Sequence, residues 1–462
     1  MAFIKLETKS IYDQWGFKGS PFETSALPAD VLGATLLTGR DKELQALATQ
    51  LTNGTKYPTI EGLNGVGKTS IANVAAYLLF RQYLEAGESG SEGLFIPCRK
   101  IFQLTPGRSL DDFCDDVYFE VAQTLIERAA ETKRSDKPTS TKALDKWLNA
   151  PQLTALQGGF SLATFGMNLG AQTETNTSKG FERSGFRKAI NDWLENIFPT
   201  PADGGVVCVI DNLELLQSSE AARAMVEQLR DRLFGIPGLR WVLCGALGII
   251  YGVVASPRLS GHLQAPIPVG EIPDAFAGEI LVNRVKAFTK PGFTSTLPLT
   301  ESDFKQLYSL LRGILRSVLS SADDYCAWIH AQGLVLTTDE ERHKQFGIWL
   351  AAQCADEFSA IQKQLMATAL RVFQHAVAVG GVFSPSDFES FGFKGIQQFR
   401  PSIRDLEGVG LLVSTRDEGD KRRKTIQVTD RGWKVNHHLA TVSGSVVDPR
   451  QEDGSEDVDT SA

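Results

Sequence analysis

Residues 62–69, Gly62-Leu63-Asn64-Gly65-Val66-Gly67-Lys68-Thr69, set glycines, a lysine and a threonine in the spacing GxxxxGKT. Such a loop turns backbone N–H groups inward and forms a nest for a polyphosphate. Glycine is required because side chains would block the close approach and because the loop needs unusual dihedrals. Lys68 would reach the β- and γ-phosphates, and the Thr69 hydroxyl would ligate Mg²⁺. The expected nucleotide contacts are Gly62, Asn64, Gly65, Val66, Gly67, Lys68, Thr69 and Ser70.

A second acid completes this chemistry. Gly205-Val206-Val207-Cys208-Val209-Ile210-Asp211 is an apolar, β-branched run ending in a carboxylate. An acid at the end of a buried strand after the phosphate loop would bind the magnesium beside Thr69. Asn212 follows, where many ATPases carry a glutamate that orients the attacking water. Glu214, two residues on, either substitutes for it as a catalytic group or is a surface glutamate. Nucleotide binding is therefore better supported than strong hydrolysis.

These residues need positioning elements. A strand at 57–61 leads into the loop and a helix from Ser70 to Phe80 leaves it. Further strands are read at 94–98, 239–245 and 265–269, and helices at 42–51, 109–130, 181–197 and 219–233. Alternating strands and helices predict an α/β, doubly wound parallel sheet of the P-loop NTPase kind. A half-buried hairpin is read at 159–173 from its alternation.

Bulk properties exclude several classes. Apolar residues make up 42% of the 462-residue chain and charged residues 22%, ordinary for a globular protein. Six scattered cysteines form no CxxC pair, and six histidines form no HxxxH pattern, so neither a disulfide framework nor a zinc site is expected. No apolar run is long enough to span a bilayer. The opening residues do not read as a signal peptide, and a cytoplasmic setting without membrane contact is expected. The net charge of −8 includes −5 from residues 443–462 (six acids against Arg450), leaving −3 for the rest.

The arrangement resembles the AAA+ ATPases, particularly the initiator (origin-recognition-like) branch and its STAND relatives. Residues 16–22, GFKGSPF, and 37–44, LTGRDKEL, are similar to the entry segment of those proteins. The resemblance implies that Gly39 and Arg40 lie beside the nucleotide. It also implies a helical lid whose Gly313-Ile314-Leu315-Arg316 is similar to the sensor 2 helix. Arg316 would then act catalytically from the lid; otherwise it is an exposed helix residue. Arg284 resembles a second lid arginine. Two features depart from the pattern. Cys244-Gly245-Ala246-Leu247 offers no polar sensor 1 residue, and no arginine finger stands out among Arg230, Arg232, Arg240 and Arg258, the last being preferred.

Residues 358–442 read as three helices and a hairpin, a C-terminal winged helix-turn-helix. The stretch 406–432 is similar to the wing of MarR-type regulators. Its tip carries Lys421, Arg422, Arg423 and Lys424, suited to phosphate contact. The third helix, about 394–407, offers Gln397, Gln398, Arg400 and Arg404 for base edges or backbone.

The expected division is a lead-in at 1–34, the ATPase core at 35–270, an all-α lid at 271–357, the winged helix at 358–442 and a disordered acidic tail at 443–462. The expected function is an ATP/ADP- and Mg²⁺-binding, slowly hydrolysing ATPase that couples nucleotide state to homo-oligomer assembly and double-stranded DNA binding. The alternative is a STAND-like signalling switch whose winged helix docks a separate effector protein. A metabolic kinase is disfavoured, because no second-substrate motif appears.

Overall fold

The computed structural model describes residues 10–54, 56–87, 92–132, 179–216, 218–246, 248–416 and 424–444. The chain divides into two compact units, residues 26–270 and residues 1–25 with 271–462. The hairpin expected at 159–173, most of the wing tip and residues 445–462 of the acidic tail lie outside the described residues, and the expected tail start, Ser443, is the last residue of a helix.

The first unit is an α/β sandwich. Its strands are β1 (Thr59–Gly62), β2 (Leu94–Gln103), β3 (Gly204–Asp211), β4 (Leu239–Gly245) and β5 (Ile267–Val269). They form a five-stranded sheet in the order β2-β3-β4-β1-β5, every pairing parallel. The helices are α1 (Val31–Leu36), α2 (Asp41–Thr52), α3 (Lys68–Ala86), α4 (Leu110–Glu127), α5 (Ala129–Thr132), α6 (Lys179–Ile197), α7 (Ser219–Leu229) and α8 (Ile249–Val254).

All eight residues of β3 are buried. Alternation sends Val206, Cys208 and Ile210 to one face, where they pack with Phe113, Val117, Leu194, Val226 and Trp241. Val207 and Val209 face the opposite core with Leu47, Ile71, Ala75 and Val242. A strand covered on both faces has no polar side to show, which is why its sequence is a continuous apolar run. Helices on both faces make this the doubly wound P-loop fold expected from the sequence. Strand β2 runs five residues beyond the expected Cys98, with its register to β3 shifting between Pro97 and Ile101. No helix among the described residues is long and apolar enough to cross a membrane.

The second unit contains α9 (Ala277–Phe288), α10 (Glu301–Leu310), α11 (Leu315–Ala331) and α12 (Asp339–Ile361). They are followed by α13 (Ala367–Ala378), β6 (Val382–Phe383), α14 (Ile396–Gly408), β7 (Leu412–Arg416), β8 (Lys424–Val428) and α15 (Asp430–Ser443). Residues 10–25 of the lead-in belong to this unit, whereas residues 26–34, with the start of α1, belong to the first one. Tyr12 donates to Asp323 Oδ1 at 2.5 Å, and Phe17 and Phe22 are buried.

Two sequence expectations change here. The division at 357/358 falls inside α12, whose buried Phe346, Trp349, Leu350, Cys354 and Ile361 keep helical spacing to its end. The first of the three helices expected in 358–442 begins only at Ala367, after a break at 362–366. Helix α15 packs back on α12, with Arg431 Nε 2.7 Å from Glu357. The sequence pattern did not announce a helix there. The three-stranded sheet runs β6-β8-β7, antiparallel, and β6 was equally silent in the sequence because two residues carry no periodicity.

Candidate functional site

The phosphate loop joins β1 to α3. Gly65 (φ 85°) and Gly67 (φ 97°) take left-handed dihedrals, as the loop requires of glycine. Gly62 serves a different end, since a Cβ there would stand 2.3 Å from Val269 O on the neighbouring strand. Asn64 is exposed at the loop tip, whereas Val66, Lys68 and Ser70 are buried. Lys68 Nζ donates to Gly62 O and Leu63 O, each at 3.0 Å. Those bonds fold the ammonium back onto the start of the loop.

Asp211 ends β3, and Thr69 lies in the first turn of α3. Strand β4 separates their parent strands, so only the twisted sheet brings the two side chains together. Thr69 Oγ1 donates to Asp211 Oδ2 at 2.5 Å. The second oxygen, Asp211 Oδ1, is buried and has no hydrogen-bond partner among the described residues. A buried, unmatched carboxylate oxygen is costly. Beside a threonine hydroxyl, it is the donor set that a hard cation with retained waters suits. Thr69 and Asp211 therefore fit Mg²⁺.

Asn212, just beyond, has φ 59°, a left-handed conformation that asparagine tolerates better than most residues. This turn sends the chain into a short 3-10 segment, Leu213–Leu216. There Glu214 Oε2 accepts from Ala246 N at 3.0 Å. The expected stand-in for the water-orienting acid is thus tied to the backbone just after β4. Cys244, on β4, is fully enclosed, and burial first, then the Asp211 charge, push its thiol pKa well up. It is a core residue. Leu247 lies outside the described residues.

Gly39 has φ 69° and directs the chain into α2. Arg40 is buried; its Nη1 donates to Glu43, and its Nη2 to Val66 O and Gly270 O. Its guanidinium is engaged with the loop backbone, a role the sequence did not disclose. Arg240 is buried and donates to Gly54 O, Pro201 O and Gly204 O, so it is not available to a neighbouring subunit. Arg258 is exposed and pairs with Glu227 at 3.2 Å. Arg230 pairs with Asp231, and Arg232 with Asp111.

In the second unit, Arg316 lies in the first turn of α11 and is exposed. Arg284 differs from the expected lid arginine. It is buried and donates to Pro21 O at 2.9 Å and Glu23 O at 3.1 Å, fastening the lead-in. Burial lowers its pKa to about 10.

On α14, Phe399, Ser402, Ile403 and Leu406 face the core, while Gln397, Gln398, Arg400 and Arg404 are exposed. The exposed set recurs at helical spacing and forms one polar face. Lys421, Arg422 and Arg423 lie outside the described residues. The backbone of Lys424 pairs with Arg416 across the hairpin.

No family model matches the chain, and no curated protein does. Among solved structures it is similar to the ORC2 protein of Aeropyrum pernix in ADPNP and ADP complexes, at 11% identity and a TM-score of 0.42, covering 92% of this chain and 98% of that one. It is also similar to the Drosophila ORC bound to DNA, at 12% identity, a TM-score of 0.39 and coverage of 95% and 94%. A third is Cdc6p of Pyrobaculum aerophilum, at 13% identity, a TM-score of 0.37 and coverage of 91% and 98%.

Proposed function

We propose that this chain is an ATP-binding switch of the AAA+ initiator type that hydrolyses ATP slowly. The observation that carries this reading is the cluster of Lys68, Thr69 and Asp211. It combines a left-handed glycine loop, an ammonium folded back onto its start, and a hydroxyl–carboxylate pair with one unmatched oxygen. Lys68 would turn from Gly62 O and Leu63 O to the β- and γ-phosphates. Thr69 and Asp211 would hold Mg²⁺, which supplies charge neutralisation on the transferring phosphoryl group. The Glu214–Ala246 bond withholds a free base, and Asn212 cannot accept a proton, so hydrolysis is slow. Calorimetry with Mg²⁺ and ATP on the full chain and on Lys68→Ala tests this. Equal affinity in the two proteins would refute it.

In the same reading, residues 367–443 act as a winged helix on double-stranded DNA. Gln397, Gln398, Arg400 and Arg404 are exposed on α14 away from its apolar face, and in this proposal Lys421, Arg422, Arg423 and Lys424, which follow β7 in sequence up to the start of β8, contact phosphates. The neighbours named for ADPNP, ADP and DNA complexes prompt the same experiments. Neutralising one cation that touches a phosphate should lower the log–log salt slope of duplex binding by about 0.9. Homo-oligomers are part of this proposal, with Arg258, exposed and paired with Glu227, as the arginine that would turn to a neighbouring subunit. The effector-docking alternative becomes the reading if nucleotide binds and DNA does not.

A further inference from the structure

The chain enters the nucleotide-binding unit at Ala26 and leaves it at Gly270. Hydrogen bonds run from both points to the phosphate loop and its helix. At the exit, Gly270 O accepts from Arg40 Nη2 at 2.7 Å, and the same nitrogen donates to Val66 O at 2.9 Å, within the loop itself. Glu43 Oε1 orients the guanidinium from Nη1 at 2.8 Å. Arg40 is 3% exposed, so water does not compete strongly for these donors. One residue before the exit, the Val269 backbone lies directly against Gly62.

At the entry, Leu27 is held by both of its backbone groups. Its N–H donates to Ser70 Oγ at 3.0 Å, and its carbonyl accepts from Asn73 Nδ2 at 2.8 Å. Ser70 follows Thr69 in the first turn of α3, and Asn73 lies one turn later. The attachment points for both ends thus fall between residues 62 and 73. Fastening alone would have no need of that stretch, because any surface of the unit could hold a chain end.

The Val66 carbonyl gives the arrangement its consequence. It shares one rigid peptide plane with the Gly67 N–H. A phosphate drawing that N–H inward reorients the carbonyl on the opposite side of the plane, and Arg40 is bonded to it. Ligand binding at the loop then changes the strength of the Arg40 bond to Gly270. At the other end, settling of α3 against a phosphate moves Ser70 and Asn73 together, and both hold Leu27.

We propose that Arg40, Ser70 and Asn73 are positioning residues that carry the state of the phosphate loop to the two points where the chain leaves the unit, tightening both when nucleotide is bound. The proposal rests on the reading that a nucleotide occupies the loop. A bound nucleotide selects the tightened arrangement only by binding it better than the loose one.

The test is amide hydrogen exchange on the full chain, with and without Mg²⁺ and ADP or a slowly hydrolysed ATP analogue. It compares wild type, Asn73→Ala and Arg40→Gln, with calorimetry on the same samples. In wild type, nucleotide should slow exchange at Leu27 and across residues 269–272. Asn73→Ala should bind nucleotide as wild type does and lose the response at Leu27 alone. Removing one hydrogen bond should raise exchange there about fivefold. Arg40→Gln, which also loses a bond to the loop and is compared at saturating nucleotide, should lose the response at 269–272 and keep the one at Leu27. Nucleotide binding with no protection at either point, or with both variants responding as wild type does, would overturn the inference and leave the proposed function standing. A uniform slowing that includes β3 would also overturn it, since any ligand stabilises a fold globally. Absence of nucleotide binding by wild type would remove both. If Arg40→Gln does not fold, Asn73→Ala decides the question, because that half-buried side chain makes one hydrogen bond to the entry segment.

Discussion

Replacing Asp211 by asparagine should separate folding from ligand binding. Asp211 Oδ1 is buried without a partner among the described residues, and Oδ2 accepts from Thr69 Oγ1 at 2.5 Å. An unmatched buried polar atom costs about 1–3 kcal/mol, and more for a charged group. Asparagine keeps an acceptor for Thr69 and exchanges the charged orphan for a neutral amide. The apo variant should therefore be as stable as wild type, or more stable by about 1 kcal/mol. At about 2–4 °C per kcal/mol for a unit of this size, the melting temperature should hold or rise by a few degrees. The ligand response runs the other way. At one hundred times Kd, nucleotide stabilises the wild type by about 2.7 kcal/mol, a shift of roughly 5–10 °C. A tenfold to hundredfold loss of Mg²⁺–nucleotide affinity would remove about 1.3–2.3 kcal/mol of that, which is half of the shift or most of it. Thermal unfolding of both proteins, with and without Mg²⁺ and ATP, reads both quantities. A variant that melts several degrees lower without ligand, yet keeps the wild-type shift with ligand, would refute the assignment of Asp211 as a metal ligand held at a stability cost.

Tyr57 donates its hydroxyl to Phe234 O, and burial pushes its pKa up to about 12. Between pH 10 and 12 the unfolded chain loses a proton that the folded chain keeps, so this group's contribution to stability is full below pH 10 and falls as pH rises. Tyr57→Phe should be less stable than wild type at pH 8 by about 0.5–1.5 kcal/mol, and the gap should narrow by pH 11.5 in chemical denaturation; a constant gap would contradict the linkage. Gly62→Ala should destabilise the unit around β1 and β5, because its Cβ would meet Val269 O at 2.3 Å, and a circular-dichroism melt within 1 °C of wild type would refute the close packing. Arg400→Ala with Arg404→Ala should leave stability within about 0.5 kcal/mol while weakening duplex DNA binding, whereas Ile403→Ala on the buried face of α14 should cost about 2–5 kcal/mol. Paired denaturation and DNA-binding titrations check both halves, and DNA binding unchanged by the two arginine replacements would remove α14 from the proposed interface.

Local order was legible wherever residue type and period agreed. The glycine spacing at 62–69 specifies a loop with left-handed dihedrals, which no other residue type supplies at the same cost. The β-branched run at 205–211 could bury both of its faces only as an interior parallel strand. Alternation of strand and helix then left the doubly wound sheet as the architecture. The third helix of the C-terminal segment, read at about 394–407, likewise lies close to α14 (Ile396–Gly408). Partnerships distant in sequence were not legible. An arginine has the same letter whether it is exposed, as Arg316 is, or buried against backbone carbonyls, as Arg40, Arg240 and Arg284 are. The same holds for Glu214, whose partner is an amide 32 positions away, and for α15, whose packing on α12 erased an expected boundary. Sequence period reports which face of an element is apolar. The partner of a buried charge is chosen by whichever backbone carbonyl or amide the folded sheet brings within about 3 Å, and only the assembled tertiary structure determines that.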